Sequence, residues 1–159
     1  MTHVCERMVI GCPYAAARDY LRERIQRAMA QTQPQIVRLT LSKRLESIVH
    51  KDVELRYGEA IDPLRFDEPW AVHWSPLGGG LHPEFDGEIV VRLDRLGTLL
   101  ELCGHYVPPL GAPGAVIDLI AGSRIAGLTA RALLRRIAVK IEDMYSASSM
   151  ADSANRNRA

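Results

Sequence analysis

Thr98-Leu-Leu-Glu-Leu-Cys-Gly-His-Tyr106 reads as a strand that feeds a rigid break, Val107-Pro-Pro-Leu-Gly111, and beyond the break an apolar stripe continues to Tyr145. In the strand, Leu100, Leu102, Gly104 and Tyr106 share one parity, and Glu101 and His105 the other. That is the period-two pattern of one buried and one wetter face. After the break the period changes. Val116, Ile117, Ile120, Ile125, Leu128, Ala132, Leu133, Ile137, Ile141 and Tyr145 fall at helical spacing. At roughly 1.5 Å per residue, a helix from Pro113 to Tyr145 would span on the order of 50 Å, too long for a mere crossover. Such a rod needs an equally long apolar partner. A curved sheet closed by this helix would enclose a cavity. Gly122 and Gly127 interrupt the stripe at about 1 kcal/mol each relative to alanine, marking a bend or a close approach to the sheet.

The segments upstream supply the partner. Val4 to Ile10 is a short apolar run, and Gly11-Cys12-Pro13 opens an amphipathic helix carrying Tyr14, Ala17, Leu21, Ile25 and Ala28 on one side. Alternating runs follow at Val37 to Leu41, Val53 to Tyr57, Trp70 to Trp74 and Ile89 to Leu93, an antiparallel pattern. Leu93-Asp-Arg-Leu-Gly97 reads as a hairpin connection and Ser75-Pro-Leu-Gly-Gly-Gly80 as a loop. Residues 147–159 have little to bury and read as a disordered tail after a single domain at 1–146.

Bulk properties narrow the function. With 159 residues, one domain with a sizeable core is expected. Twenty basic against nineteen acidic residues leave a net charge of +1, which provides no field to recruit nucleic acid or an anionic membrane. Arg124, Arg131, Arg135, Arg136 and Lys140 read as a solvated helix face with cations toward the C-terminal dipole end. No window reaches the ~18 apolar residues of a membrane span, and Met1-Thr-His-Val-Cys-Glu-Arg7 lacks a signal-peptide core, so a cytoplasmic location is expected. Cys5, Cys12 and Cys103 show no metal-ligand spacing and read as reduced, partly buried thiols; neither metal nor cofactor is expected.

Strand, amphipathic helix, antiparallel strands and long terminal helix, together with Trp74-Ser-Pro-Leu-Gly-Gly-Gly80, Phe85-Asp-Gly-Glu-Ile89, Leu100 to Gly111 and Asp118, resemble the START-like, polyketide cyclase-like superfamily (SRPBCC). The resemblance covers Val4 to Tyr145. It implies an α+β helix-grip fold, a curved antiparallel sheet of six or seven strands wrapped around the C-terminal helix. Six strands are counted, and an additional piece would fall in Arg44–His50 or Ile61–Asp67.

The resemblance also implies a pocket between the concave sheet face and the helix. By parity its wall would be Leu55, Tyr57, Val72, Trp74, Ile89, Val91, Leu100, Leu102 and Tyr106, faced by Ile120, Ile125, Leu128 and Leu133. The same residues would equally form a filled core. The mouth would lie between the Ser75–Pro83 loop and the Val107–Pro113 turn. His73 and His105 fall on the outward parity, with no carboxylate placed by spacing to orient either. His3, His50 and His82 form no HxxxH or HxH signature. Glu54, Arg56, Arg92 and Glu101 would pair across strands on the outer face.

Three functions remain open at this level. The first is carriage or sequestration of a small hydrophobic ligand, lipid-, polyketide- or isoprenoid-like, oriented by Tyr106 or a neighbouring polar group. The second is a cyclase or dehydratase acting on an aromatic or polyketide substrate, with Tyr106, His105 and Arg56 as candidate acid/base groups. The third is a protein-interaction module, including a homodimer, through Trp70 or Leu110.

Overall fold

The computed structural model describes the backbone of residues 2–31, 33–42, 48–60, 67–77, 84–95, 97–107 and 115–156, and their side chains except at 2, 39–42, 48–51, 60, 115–125 and 151–156. The elements run β1 (Thr2–Ile10), α1 (Tyr14–Met29), β2 (Gln35–Ser42), β3 (Ile48–Ala60), β4 (Trp70–Pro76), β5 (Glu84–Asp94), β6 (Gly97–Val107) and α2 (Ala115–Arg156). The six strands form one sheet in the order β1-β6-β5-β4-β3-β2, every neighbouring pair antiparallel. This is the expected helix-grip arrangement. Residues 43–47 and 61–66, within which a further piece is expected, lie outside the described residues.

The chain's first two strands end at opposite edges of the sheet, and α1 carries the chain between them. Pro13 occupies the N-cap of α1 in extended conformation, and Ala17, Leu21 and Ile25 form its buried face at helical spacing. No side chain caps this helix. Instead the Gly11 N–H just before it donates to Glu142 Oε1 of α2 at 2.6 Å, placing a carboxylate where the helix dipole favours negative charge.

Helix α2 packs against β1, β2, β6 and α1. It therefore meets both edges of the sheet, which requires the sheet to curl around it. Its buried side chains, Ala126, Ala130, Leu133, Leu134, Ile137, Ala138 and Ile141, join those of α1 and the strands in one core. Polar contacts hold it at both edges. Arg131 Nε donates to Glu6 Oε2 of β1 at 3.0 Å, and Arg136 Nη1 donates to the Arg38 carbonyl of β2 at 3.2 Å. Arg131 and Arg136 are exposed, as expected of a solvated basic face, and each also reaches an edge strand.

The helix also continues further than composition suggests. Residues 147–156, expected to be disordered, prolong α2 to Arg156. The Tyr20 hydroxyl of α1 pairs with Ser148 Oγ at 2.8 Å, a partner that composition does not reveal.

Within the sheet, Gly87 of β5 stands opposite Gly104 of β6. The Phe85 ring lies over both, within 2.6 Å of the position each missing Cβ would occupy. A Cβ at Gly104 would also clash with the Asp86 carbonyl oxygen. Only glycine allows this backbone approach. Gly104→Ala is expected to destabilise the protein by about 2–3 kcal/mol through overpacking against backbone, read as a lower urea midpoint with an unchanged slope.

Candidate functional site

The register assembles the inner face in rows. One runs Tyr106, Phe85, Trp74 and Leu55 across β6, β5, β4 and β3; the next runs Val4, Gly104, Gly87, Val72 and Tyr57 from β1 to β3. Ile89 and Leu102 form part of a third, and Val91 stands opposite Leu100. The nine sheet residues named by parity therefore share one face, and all but the half-buried Tyr57 are buried. Leu133 is buried on α2 and Leu128 half-buried there. Ile120 and Ile125 lie on α2, where their side chains are outside the described residues, as are residues 78–83 and 108–113 at the expected mouth.

At the middle of this face the side chains meet each other. Trp74 and Phe85 stack with ring centroids 3.9 Å apart and planes within 6°. Phe85, which parity reasoning left out of the wall, fills the hollow made by the two glycines. Its signal is the space left without a Cβ at residues 87 and 104, visible only once β5 and β6 are paired.

Toward β3 the packing leaves polar atoms unanswered. The Tyr57 hydroxyl and Arg24 Nε are buried and have no hydrogen-bond partner among the described residues. Burial pushes the Tyr57 phenol above its ordinary pKa, and Arg24 and, less strongly, Arg136 oppose that rise. Arg24 is thus near enough to act on the phenol through its charge and through a side-chain contact, although neither the phenol oxygen nor Arg24 Nε has a well-formed hydrogen bond among the described residues. The phenol remains neutral around pH 7 and is available as a donor. A hollow of about 290 Å³, lined by residues from the α1 C-terminus, the start of β2 and β3, opens directly onto Leu55 and Tyr57.

The outer face carries a different chemistry. Register places His3, His105, Asp86, His73 and Arg56 side by side on β1, β6, β5, β4 and β3. These residues border a shallow hollow of about 660 Å³, whose floor includes Gly58, Ala71, Gly87 and Gly104. His73 Nδ1 lies 2.7 Å from Asp86 Oδ1. A carboxylate does orient this histidine, contrary to the sequence expectation; it comes from the neighbouring strand, thirteen residues away.

On the next rungs Cys5 faces Cys103, and Arg7 faces Glu101. Glu101 is buried, held by Arg7 and by Arg92 Nε at 2.9 Å, and Arg92 also meets Asp67 at 2.9 Å. Arg56 pairs with Glu54, its Nε at 2.7 Å. Cys5 and Cys103 are joined as a disulfide, which corrects the expectation of reduced thiols for these two. Their pairing follows from strand register and leaves no trace in their 98-residue separation.

Tyr106 is buried on the inner face, whereas His105 and Arg56 are exposed on the outer one. The three candidate acid/base groups therefore do not converge on one reacting centre.

A single antiparallel sheet gripping a terminal helix defines the class: this is an α+β helix-grip fold. By sequence, no protein-family model matches the chain and no curated protein is similar to it. Among solved structures it is similar to TTHA0849 from Thermus thermophilus, with a TM-score of 0.45 at 10% identity over 87% of this chain and 99% of that one. It is also similar to the Zhui aromatase/cyclase from Streptomyces sp. R1128, with a TM-score of 0.47 at 17% identity over 86% and 93%. Ara h 8.0201 gives a TM-score of 0.39 at 11% identity over 88% and 97%. Among the described residues, no helix is long and apolar enough to cross a membrane.

The remaining cysteine, Cys12, is buried, and burial, followed by the charge of Glu142, pushes its thiol pKa up. Less thiolate means less reactivity. After reduction, iodoacetamide is expected to label Cys5 and Cys103 in the native protein and Cys12 only on denaturation, as read by peptide mass spectrometry.

Proposed function

We propose that the protein is a non-enzymatic binder of one small amphipathic molecule, held between the inner sheet face and the helices. Its apolar body lies at the β3 end of the inner face, against Leu55 and Val72, beside the packed rings of Trp74 and Phe85. Its polar head, a carboxylate or a carbonyl, lies at Tyr57 and Arg24. The observation that carries this reading is the pair of buried donors, the Tyr57 hydroxyl and Arg24 Nε, that have no hydrogen-bond partner among the described residues. A buried polar group without a partner costs about 1–3 kcal/mol, a cost that a bound acceptor would remove. The hollow beside Leu55 and Tyr57 supplies the opening, and the positive charge of Arg24 favours an anionic head.

The separation of Tyr106 from His105 and Arg56 argues for binding rather than turnover. Affinity would come chiefly from apolar burial and orientation from the two donors.

Two variants test the reading against a purely structural role. Tyr57→Phe removes the unsatisfied hydroxyl and is expected to leave thermal stability unchanged or raised in the ligand-free protein. The same variant, and Arg24→Met, should each weaken saturable binding of an anionic fluorescent probe such as anilinonaphthalene sulfonate by about tenfold, the equivalent of one charge-assisted hydrogen bond. Absence of saturable binding, or binding indifferent to both substitutions, would overturn it.

A further inference from the structure

His3-Val-Cys5 on β1 and Cys103-Gly-His105 on β6 are the same short pattern read in opposite directions. The antiparallel register sets His3 directly opposite His105 and Cys5 directly opposite Cys103. Because the spacing within each strand is two residues, all four positions belong to the outer face. The two rungs are adjacent, about 7 Å apart along the strands. The imidazoles already meet edge to face, ring centroids 5.2 Å apart.

We propose that, when the Cys5–Cys103 pair is reduced, these four side chains form a Cys2His2 site for a soft divalent cation of the zinc type. Two thiolates and two imidazoles are the donor set of a closed tetrahedral zinc centre, with metal–sulfur and metal–nitrogen bonds of about 2.3 and 2.1 Å. A cysteine reaches such an ion with a short arm and a histidine with a longer one. With both imidazoles turned toward the sulfur rung, an ion lying between the two rungs and closer to the sulfurs would be within range of all four. In the disulfide form the ligand atoms of Cys5, Cys103 and Glu101 lie within 4.8 Å of one another, and neither histidine belongs to that cluster. Glu101 itself is committed to Arg7 and Arg92. The histidines complete the set from the other side. Asp86 stands directly across from His105 in β5, and its Oδ1 is engaged by His73.

The chemistry balances simply. A dithiol reductant gives two electrons and two protons to the disulfide, yielding two thiols and its own cyclic disulfide. A divalent ion then displaces both thiol protons, giving a neutral dithiolate complex. The same two rungs thus clamp β1 to β6 either through sulfur or through metal. This site lies on the face opposite the proposed ligand chamber and does not depend on that reading.

The test uses the full chain, reduced with dithiothreitol and freed of reductant and metal under nitrogen, then titrated with Co2+ and with Zn2+. One equivalent of Co2+ should produce the visible absorption of a tetrahedral centre and a near-ultraviolet sulfur-to-cobalt band, both bleached by one equivalent of Zn2+. Cys103→Ser should abolish the sulfur band. His3→Gln with His105→Gln, at exposed positions that leave the fold intact by circular dichroism, should weaken Zn2+ binding beyond the about tenfold typical of losing a supporting contact. The proposal is overturned by a reduced protein that gives no tetrahedral spectrum. It is equally overturned by a spectrum that survives loss of both histidines but disappears with Glu101→Gln.

Discussion

The contact of α2 with both edges of the sheet is the constraint on which the rest depends. A flat sheet of six strands cannot touch one helix with β1 and β2 at once. The sheet must curl, and the apolar stripe from Ala126 to Ile141 is the surface it curls around. Each fully buried leucine or isoleucine in that stripe contributes about 1.5–3 kcal/mol. The alanines between them let the helix approach closely. Arg131 and Arg136 then tie the helix to the two edges, so its position across the sheet is specified as well as favoured.

Within the sheet, Gly87 stands opposite Gly104. Their missing side chains make room for Phe85, and Phe85 in turn supports Trp74. The middle of the concave face is thereby packed with aromatic rings. Toward β3, Tyr57 borders the hollow between the end of α1 and β3, and its hydroxyl, like Arg24 Nε, has no hydrogen-bond partner among the described residues.

The two faces of the strands are chemically distinct because alternate residues point to opposite sides. On β6, Leu102 and Tyr106 belong to the core while Cys103 and His105 belong to the outer face, one residue away in each case. Thus one strand contributes to the buried inner wall and to the outward Cys/His rungs without either interfering with the other.

Periodicity alone determined the order and type of the elements, the inward parity of Leu55, Val72, Trp74, Ile89, Leu100 and Leu102, and the long terminal helix, since each of these depends on residues close together in sequence. Strand pairing was not legible there. The opposition of His3 to His105 and Cys5 to Cys103, the Asp86 that orients His73, and the Arg131 anchor on Glu6 all join residues distant along the chain. The extension of α2 past Tyr145 was hidden for a similar reason: its partner, Tyr20, belongs to another helix. Only the tertiary structure decided which polar groups are satisfied, because burial and hydrogen bonding are properties of what surrounds a side chain. Tyr57 was legible as an inward aromatic; that its hydroxyl is left without a partner became visible only after α1 had packed against the sheet.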